Sequence, residues 1–167
     1  MSIQTEHVAS GEQTFDIFGV QLQFLVAPEQ TSGEISLYRG TIPPGVVVPL
    51  HSHPEPEVLY VLEGGLEIYQ EIGPQQGWSI FSAGKVVAIP GDVKHALRNT
   101  SSSPATTVLI TQDQLYGFFR EIAKPLKGQR TAPPSPEEMQ HLFVAAAKYS
   151  YWMGSPEENA AIGINLG

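Results

Sequence analysis

The chain has 167 residues, 41% of them hydrophobic and 16% charged, which suits one folded domain with its own core rather than a disordered chain. Nine Lys and Arg against 17 Asp and Glu leave a net charge of −8; so acidic a surface repels phosphate backbones and anionic lipid, and the expectation is no nucleic-acid and no membrane partner. There is no cysteine, which excludes disulfides, thiol nucleophiles and Cys-ligated metal centres. No apolar run approaches the ~20 residues that span a bilayer, and the opening residues lack a signal-peptide pattern, so the expected localisation is cytoplasmic.

Taken in order, short runs rich in Val, Ile, Leu, Tyr and Thr fall at 15–26, 35–42, 46–50, 58–62, 66–72, 78–81, 85–89, 95–99 and 105–111. Their spacing and the Gly and Pro between them predict an all-β sandwich or barrel. Gly64-Gly65 reads as a tight turn between two of these strands. The run Val58-Leu59-Tyr60-Val61-Leu62 does not alternate, so both of its faces need cover, one from the barrel interior and the other from a second sheet, the C-terminal helices or a partner subunit. A homodimer is therefore expected.

The pattern changes after Thr111. Asp113 is placed to cap a helix carrying Leu115, Phe118, Phe119 and Ile122 on one face. The stretch 124–134 reads as an irregular linker. Ser135-Pro136-Glu137-Glu138 is a helix start with a cap, a first-turn proline and two carboxylates at the positive end of the dipole. Met139, Leu142, Phe143, Ala146 and Tyr149 are expected to form its buried stripe. Ser155-Pro156-Glu157-Glu158 repeats the signal. The expected division is a barrel with N-terminal strands over residues 1–112 and, over 113–167, a helical extension packing on the barrel or on a partner.

Two segments carry chemistry. The first is Gly45, five residues, His51-Ser52-His53, three residues, Glu57, six residues, Gly64; the second is Gly84, five residues, Pro90, then His95, three residues and Asn99. In a strand, residues i and i+2 face one way, so His51 and His53 can aim at one point. Glu57 shares their parity after a bend at Pro54-Glu55-Pro56, and His95 comes from another strand. Imidazoles and a carboxylate suit divalent first-row metals. Glu55 has the same parity and is the alternative carboxylate.

These spacings resemble the two motifs of the cupin superfamily. The first matches at every defining position; the second departs only at Asp92, where a glycine is usual and where Asp tolerates the turn conformation better than most residues. The resemblance covers roughly residues 35–111 and implies a double-stranded β-helix, or jelly-roll barrel, with a metal inside its mouth. It implies His51, His53, Glu57 and His95 as ligands of one divalent transition metal, with Fe, Mn, Ni, Co, Cu and Zn all compatible. The part beyond, with Phe118-Phe119 and a Pro-rich linker, looks more loosely like single-domain quercetin-dioxygenase-like cupins. That likeness implies a dioxygenase acting on a small enol-, catechol- or flavonol-like substrate, with Glu57 as both ligand and catalytic base.

The alternatives are a metal-dependent isomerase or decarboxylase, and a non-catalytic small-molecule-binding or sensing cupin with a structural metal. Arg39 is a candidate anchor for a substrate carboxylate, the outer sheet face being its other reading. Phe118 is a candidate substrate contact as a lid over the mouth, core packing being its other reading. His7 and His141 match nothing.

Overall fold

The computed structural model describes residues 13–130 and 132–166; His7 lies outside them. Among the described residues ten strands precede the first α-helix: β1 (Phe15–Ile17), β2 (Val20–Val26), β3 (Ser36–Ile42), β4 (Val47–Ser52), β5 (Glu57–Glu63), β6 (Gly65–Gln70), β7 (Gly77–Ser82), β8 (Val86–Ile89), β9 (His95–Arg98) and β10 (Ala105–Thr111). The predicted run 15–26 is two strands, because Phe18 and Gly19 both take positive φ and turn the chain back on itself. After β10 come α1 (Asp113–Ile122), β11 (Lys124–Pro125), α2 (Pro136–Lys148), β12 (Trp152–Met153) and α3 (Pro156–Ala161).

The strands form two antiparallel sheets, one in the order β11-β1-β2-β3-β10-β5-β8 and the other β12-β4-β9-β6-β7. This is an all-β jelly roll with short helices at its C-terminal end. Alternation sends one row from each sheet inward. Leu22, Phe24, Tyr38, Ile42, Leu59, Leu66, Ile68, Val87, Ile89 and Leu109 are buried together as the core. Their removal from water is the main stabilising term. At Gly64, φ is +73° and an added Cβ would meet the Pro104 carbonyl oxygen at 2.5 Å, so only glycine makes this turn from β5 to β6.

The C-terminal part departs from expectation in four places. Asp113 is the first helical residue and Gln112 occupies the cap position. The 124–134 stretch is not wholly irregular: Lys124 and Pro125 pair with β1, and Arg130 bridges Asp16 at 2.6 Å and Glu138 at 3.0 Å. On α2 the buried residues are Leu142, Ala145 and Ala146, while Phe143 is 46% exposed. The helix rotates the i+3 and i+7 positions inward and Phe143 off that stripe. Finally, β12 joins the five-stranded sheet beside β4. Ser135 and Ser155 do form capping boxes, with Glu138 and Glu158 respectively. Among the described residues no helix is long and apolar enough to cross a membrane.

A candidate metal centre at the barrel mouth

The inner row of the five-stranded sheet is fixed by its register. Met153 on β12 pairs with His51 on β4, His51 with His95 on β9, and His95 with Gln70 on β6. His53 follows one residue after β4 ends, and Glu57 opens β5 in the opposite sheet. Pro54 and Pro56 interrupt pairing between them, so the chain crosses from one sheet to the other while keeping both side chains inward. One possible metal-ligating nitrogen from each of His51, His53 and His95 lies within 4.8 Å of the others. The Glu57 carboxylate reaches across from the facing sheet, with Oε1 3.5 Å from His53 Nε2 and Oε2 3.5 Å from His95 Nε2.

Each ring is oriented by a backbone carbonyl. The Nδ1 of His51 lies 2.7 Å from the Pro49 oxygen, that of His53 2.9 Å from the Glu55 oxygen and that of His95 2.8 Å from the Val93 oxygen. A carbonyl only accepts, so Nδ1 carries the proton in all three rings and Nε2 keeps its lone pair. The Nε2 atoms of His53 and His95 are buried without a hydrogen-bond partner. Such a cost is tolerated where another species satisfies the group. Three preset imidazole donors beside a carboxylate are a set that divalent first-row ions take, so the residues present fit a metal ion.

The charges agree. Burial, then the neighbouring His95 and His53, pull His51 down to about 3, so it is neutral at any ordinary pH. Burial works against charge on His53 too, but the Glu57 carboxylate outweighs it and raises His53 above its usual value. Burial alone would raise the Glu57 carboxyl; the imidazoles of His53 and His95 hold it well below the usual carboxylate range.

The second motif supports the first from below. The Asp92 N–H donates to the His53 carbonyl at 2.8 Å, and Asp92 has φ +63°, the left-handed conformation its position requires. Gly91 is packed so closely that an added Cβ would sit 2.1 Å from the Pro54 carbonyl oxygen. Asn99 is fully buried and donates to the Ile42 and Ser103 carbonyls, a role in the turn rather than at the imidazoles.

The other candidates separate. Glu55 stands on the Nδ1 side of His53, its Oε2 3.6 Å from that nitrogen, away from the converging Nε2 atoms. Arg39 is exposed and shares the outer face with Tyr60, both being opposite Val108; strand parity therefore points it away from the imidazoles. Phe118 is buried among Leu115, Ile122, Leu142 and Tyr151, a core position rather than a lid. His141 is exposed on α2.

Sequence reasoning missed Gln70 and Tyr151. Gln70 has the parity of the buried Leu66 and Ile68 on β6, a signal that was available. Tyr151 is brought to 5.3 Å from the His53 ring by the pairing of β12, and no periodicity announces that. Beside the loop that carries His53 there is a cleft of about 500 Å³, lined by Gly33, Glu34, Pro54, Glu55, Gln112 and Gln114.

A jelly roll of two antiparallel sheets with three inward imidazoles at its mouth defines the class. Residues 38–111 match the family model described as Cupin_2, a cupin domain, so the segment that carries the three imidazoles is a cupin domain. Three solved structures are similar in fold. One is a predicted oxalate decarboxylase from Thermotoga maritima, 23% identical, covering 62% of this chain and 95% of that one with a TM-score of 0.54. Another is a Cupin 2 conserved barrel domain protein from Salinispora arenicola, 20% identical, covering 60% and 82% with a TM-score of 0.51. The third is the oxalate decarboxylase of Lactobacillus farciminis in a formate complex, 20% identical, covering 60% and 31% with a TM-score of 0.52. A search of curated proteins gives no match.

Proposed function

We propose that this chain is a metal-dependent cupin enzyme in which His51, His53, His95 and Glu57 hold one divalent transition-metal ion, and that it oxidises a small enol-, catechol- or flavonol-like substrate with dioxygen. The observation that carries the reading is the preset donor geometry: three imidazoles each tied at Nδ1 to a carbonyl, with Nε2 atoms converging within reach of a buried carboxylate. A bound divalent ion would supply Lewis acidity toward a substrate oxygen and, if redox-active, a path for electrons to dioxygen.

The chain's own residues do the rest. Glu57 is ionised and faces the site, so its carboxylate can take the proton of an enol or catechol hydroxyl. Beside Glu57 the barrel interior is apolar: Ile89 is its register partner and Leu59 follows it on the same face of β5, both buried in the core, which favours an apolar substrate. Among the described residues the buried charged side chains are histidines and carboxylates, with no Lys or Arg. Beside the ion, an oxalate-like dianion would find no buried guanidinium or ammonium to pair with its second carboxylate, which favours a neutral hydroxylated substrate over a decarboxylase's diacid.

The outer face of β5 supports a homodimer. Val58, Tyr60, Val86 and Ile110 are exposed and adjacent through the registers Val58–Ile110 and Tyr60–Val86. A second copy of the chain would cover this stripe.

Elemental analysis of the purified protein beside His95→Ala tests the metal reading. About one equivalent of metal, lost in a variant that keeps its circular-dichroism spectrum, is the expected result; equal metal in both would refute the site. Oxygen uptake with flavonols and enediols then separates dioxygenase from Lewis-acid chemistry, and binding without turnover would favour the sensing module.

A further inference from the structure

One polar side chain on the inner row is unexplained by metal binding. Gln70 ends β6, and its neighbours of the same parity, Leu66 and Ile68, are buried in the core. Alternation therefore turns Gln70 inward. Its register partner is His95, so the two Cβ atoms stand side by side on the inner face, within about 4.5–5.5 Å as directly opposed residues do. The Gln70 Oε1 is buried and has no hydrogen-bond partner. It is one of a few such atoms among the described residues, and two of the others are the Nε2 atoms of His53 and His95 at the same site.

We infer that Gln70 is a substrate-orienting residue: its carboxamide receives the second oxygen of a vicinal hydroxyl–hydroxyl or hydroxyl–carbonyl substrate whose first oxygen lies at the metal. The inference rests on the metal reading above and names the substrate class for that site. The chemistry follows from the amide. It offers an acceptor and two donors and no charge, so it pairs with a hydroxyl or carbonyl and has little to give a carboxylate, which an Arg would hold bidentately. A buried carboxamide with a free oxygen also discriminates. A ligand that supplies the missing donor satisfies it, and an analogue lacking one hydroxyl leaves it unpaired. Its position next to His95, on the side away from His51 and one strand further from β4 than His95, places that contact to the side of the imidazole cluster rather than among the donors, so removing it should leave the metal in place.

The test uses the full chain loaded with one equivalent of Co(II), with 4-nitrocatechol and 4-nitrophenol as chromophoric probes of two and one hydroxyls. Gln70→Met keeps side-chain length without hydrogen-bonding capacity, and Gln70→Ala serves if the thioether packs badly. The expected result is a Kd for 4-nitrocatechol raised about tenfold, as for one buried hydrogen bond, a Kd for 4-nitrophenol changed less than twofold, and unaltered cobalt content. Equal weakening of both probes, or of neither, in a cobalt-loaded variant would overturn the assignment, as would failure of the cobalt-loaded wild type to bind 4-nitrocatechol. A wild-type chain that takes up no cobalt would instead defeat the metal reading on which it stands.

Discussion

Gly91→Ala should damage the proposed metal centre without touching any of its four proposed ligands. The new Cβ would lie 2.1 Å from the Pro54 carbonyl oxygen and 3.0 Å from its carbon, where ordinary contact begins at 3.4 Å. Backbone must therefore move by about 1.3 Å, and neither side can yield freely. On one side the Asp92 N–H holds the His53 carbonyl; on the other, Pro54 sits between His53 and the carbonyl of Glu55 that orients its ring. Overpacking at about 1–3 kcal/mol plus one strained hydrogen bond at about 1 kcal/mol gives a loss of roughly 2–4 kcal/mol. For a chain of this size that lowers Tm by about 10 °C. Misorienting one ligand should weaken metal binding by about 10–100-fold, the range seen when supports of a ligand are removed. Thermal unfolding of the metal-free protein and chelator competition read the two effects separately. Gly65→Ala is the control, since its Cβ would meet only Phe81 O at 3.7 Å. A Gly91→Ala protein with the wild-type Tm and wild-type affinity would refute the coupling of this turn to His53.

Asn159 is fully buried; it accepts from the Leu50 N–H at 2.9 Å and donates to the Gly154 and Ser155 carbonyls, so Asn159→Ala should cost about 2–4 kcal/mol and expose the C-terminal segment to limited proteolysis. Hydrogen bonds from Arg130, aided by Ser135, hold Glu138 at about 2 against an ordinary 4.5. A depressed acid stabilises the fold above its ordinary pKa and loses that contribution as pH falls toward its folded value. A double-mutant cycle on Arg130 and Glu138, discounted for solvent screening, should therefore give roughly 1 kcal/mol at pH 7, shrinking between pH 4.5 and 2; a coupling that is flat over that window would contradict the pairing. Tyr60→Glu, on the exposed stripe of β5, should convert a dimer to a monomer by light scattering with an unchanged Tm for the monomeric unit, and a wild-type chain that is already monomeric at micromolar concentration would remove the basis for the interface.

The barrel was legible because its signals are local and repeated. Each predicted strand through residue 111 has a counterpart, with ends displaced by a residue or two, since hydrophobic alternation fixes which residues pair inward while turn chemistry fixes only roughly where a strand stops. The cluster of three imidazoles was legible for the same reason: His51 and His53 lie two apart on one face, and His95 is brought opposite by the β4–β9 register. Arg39 could have been placed by the same parity rule, because Tyr38 and Gly40 on either side of it are buried. Which of Glu55 and Glu57 faces the Nε2 atoms of His53 and His95 follows from the path of the chain through two prolines, since the two share parity.

What the sequence did not disclose is set by contacts far apart in the chain. Trp152 and Met153 form a strand two residues long, too short for any period to register, and it exists because Asn159 and the Gly154 N–H clamp the segment to Leu50. That clamp has a chemical consequence. It sets Met153 beside His51 in the inner row and brings the Tyr151 ring against His53 and Phe118, so the extension after residue 112 closes one side of the imidazole cluster instead of hanging from the barrel. The tyrosine hydroxyl is buried without a partner, and burial together with the Glu55 carboxylate raises its pKa, which keeps it a proton donor. The Tyr151 hydroxyl and the Glu55 carboxylate are thus close neighbours on one side of His53, each in contact with that residue. The segment with the weakest sequence signal therefore bears directly on how His53 is held.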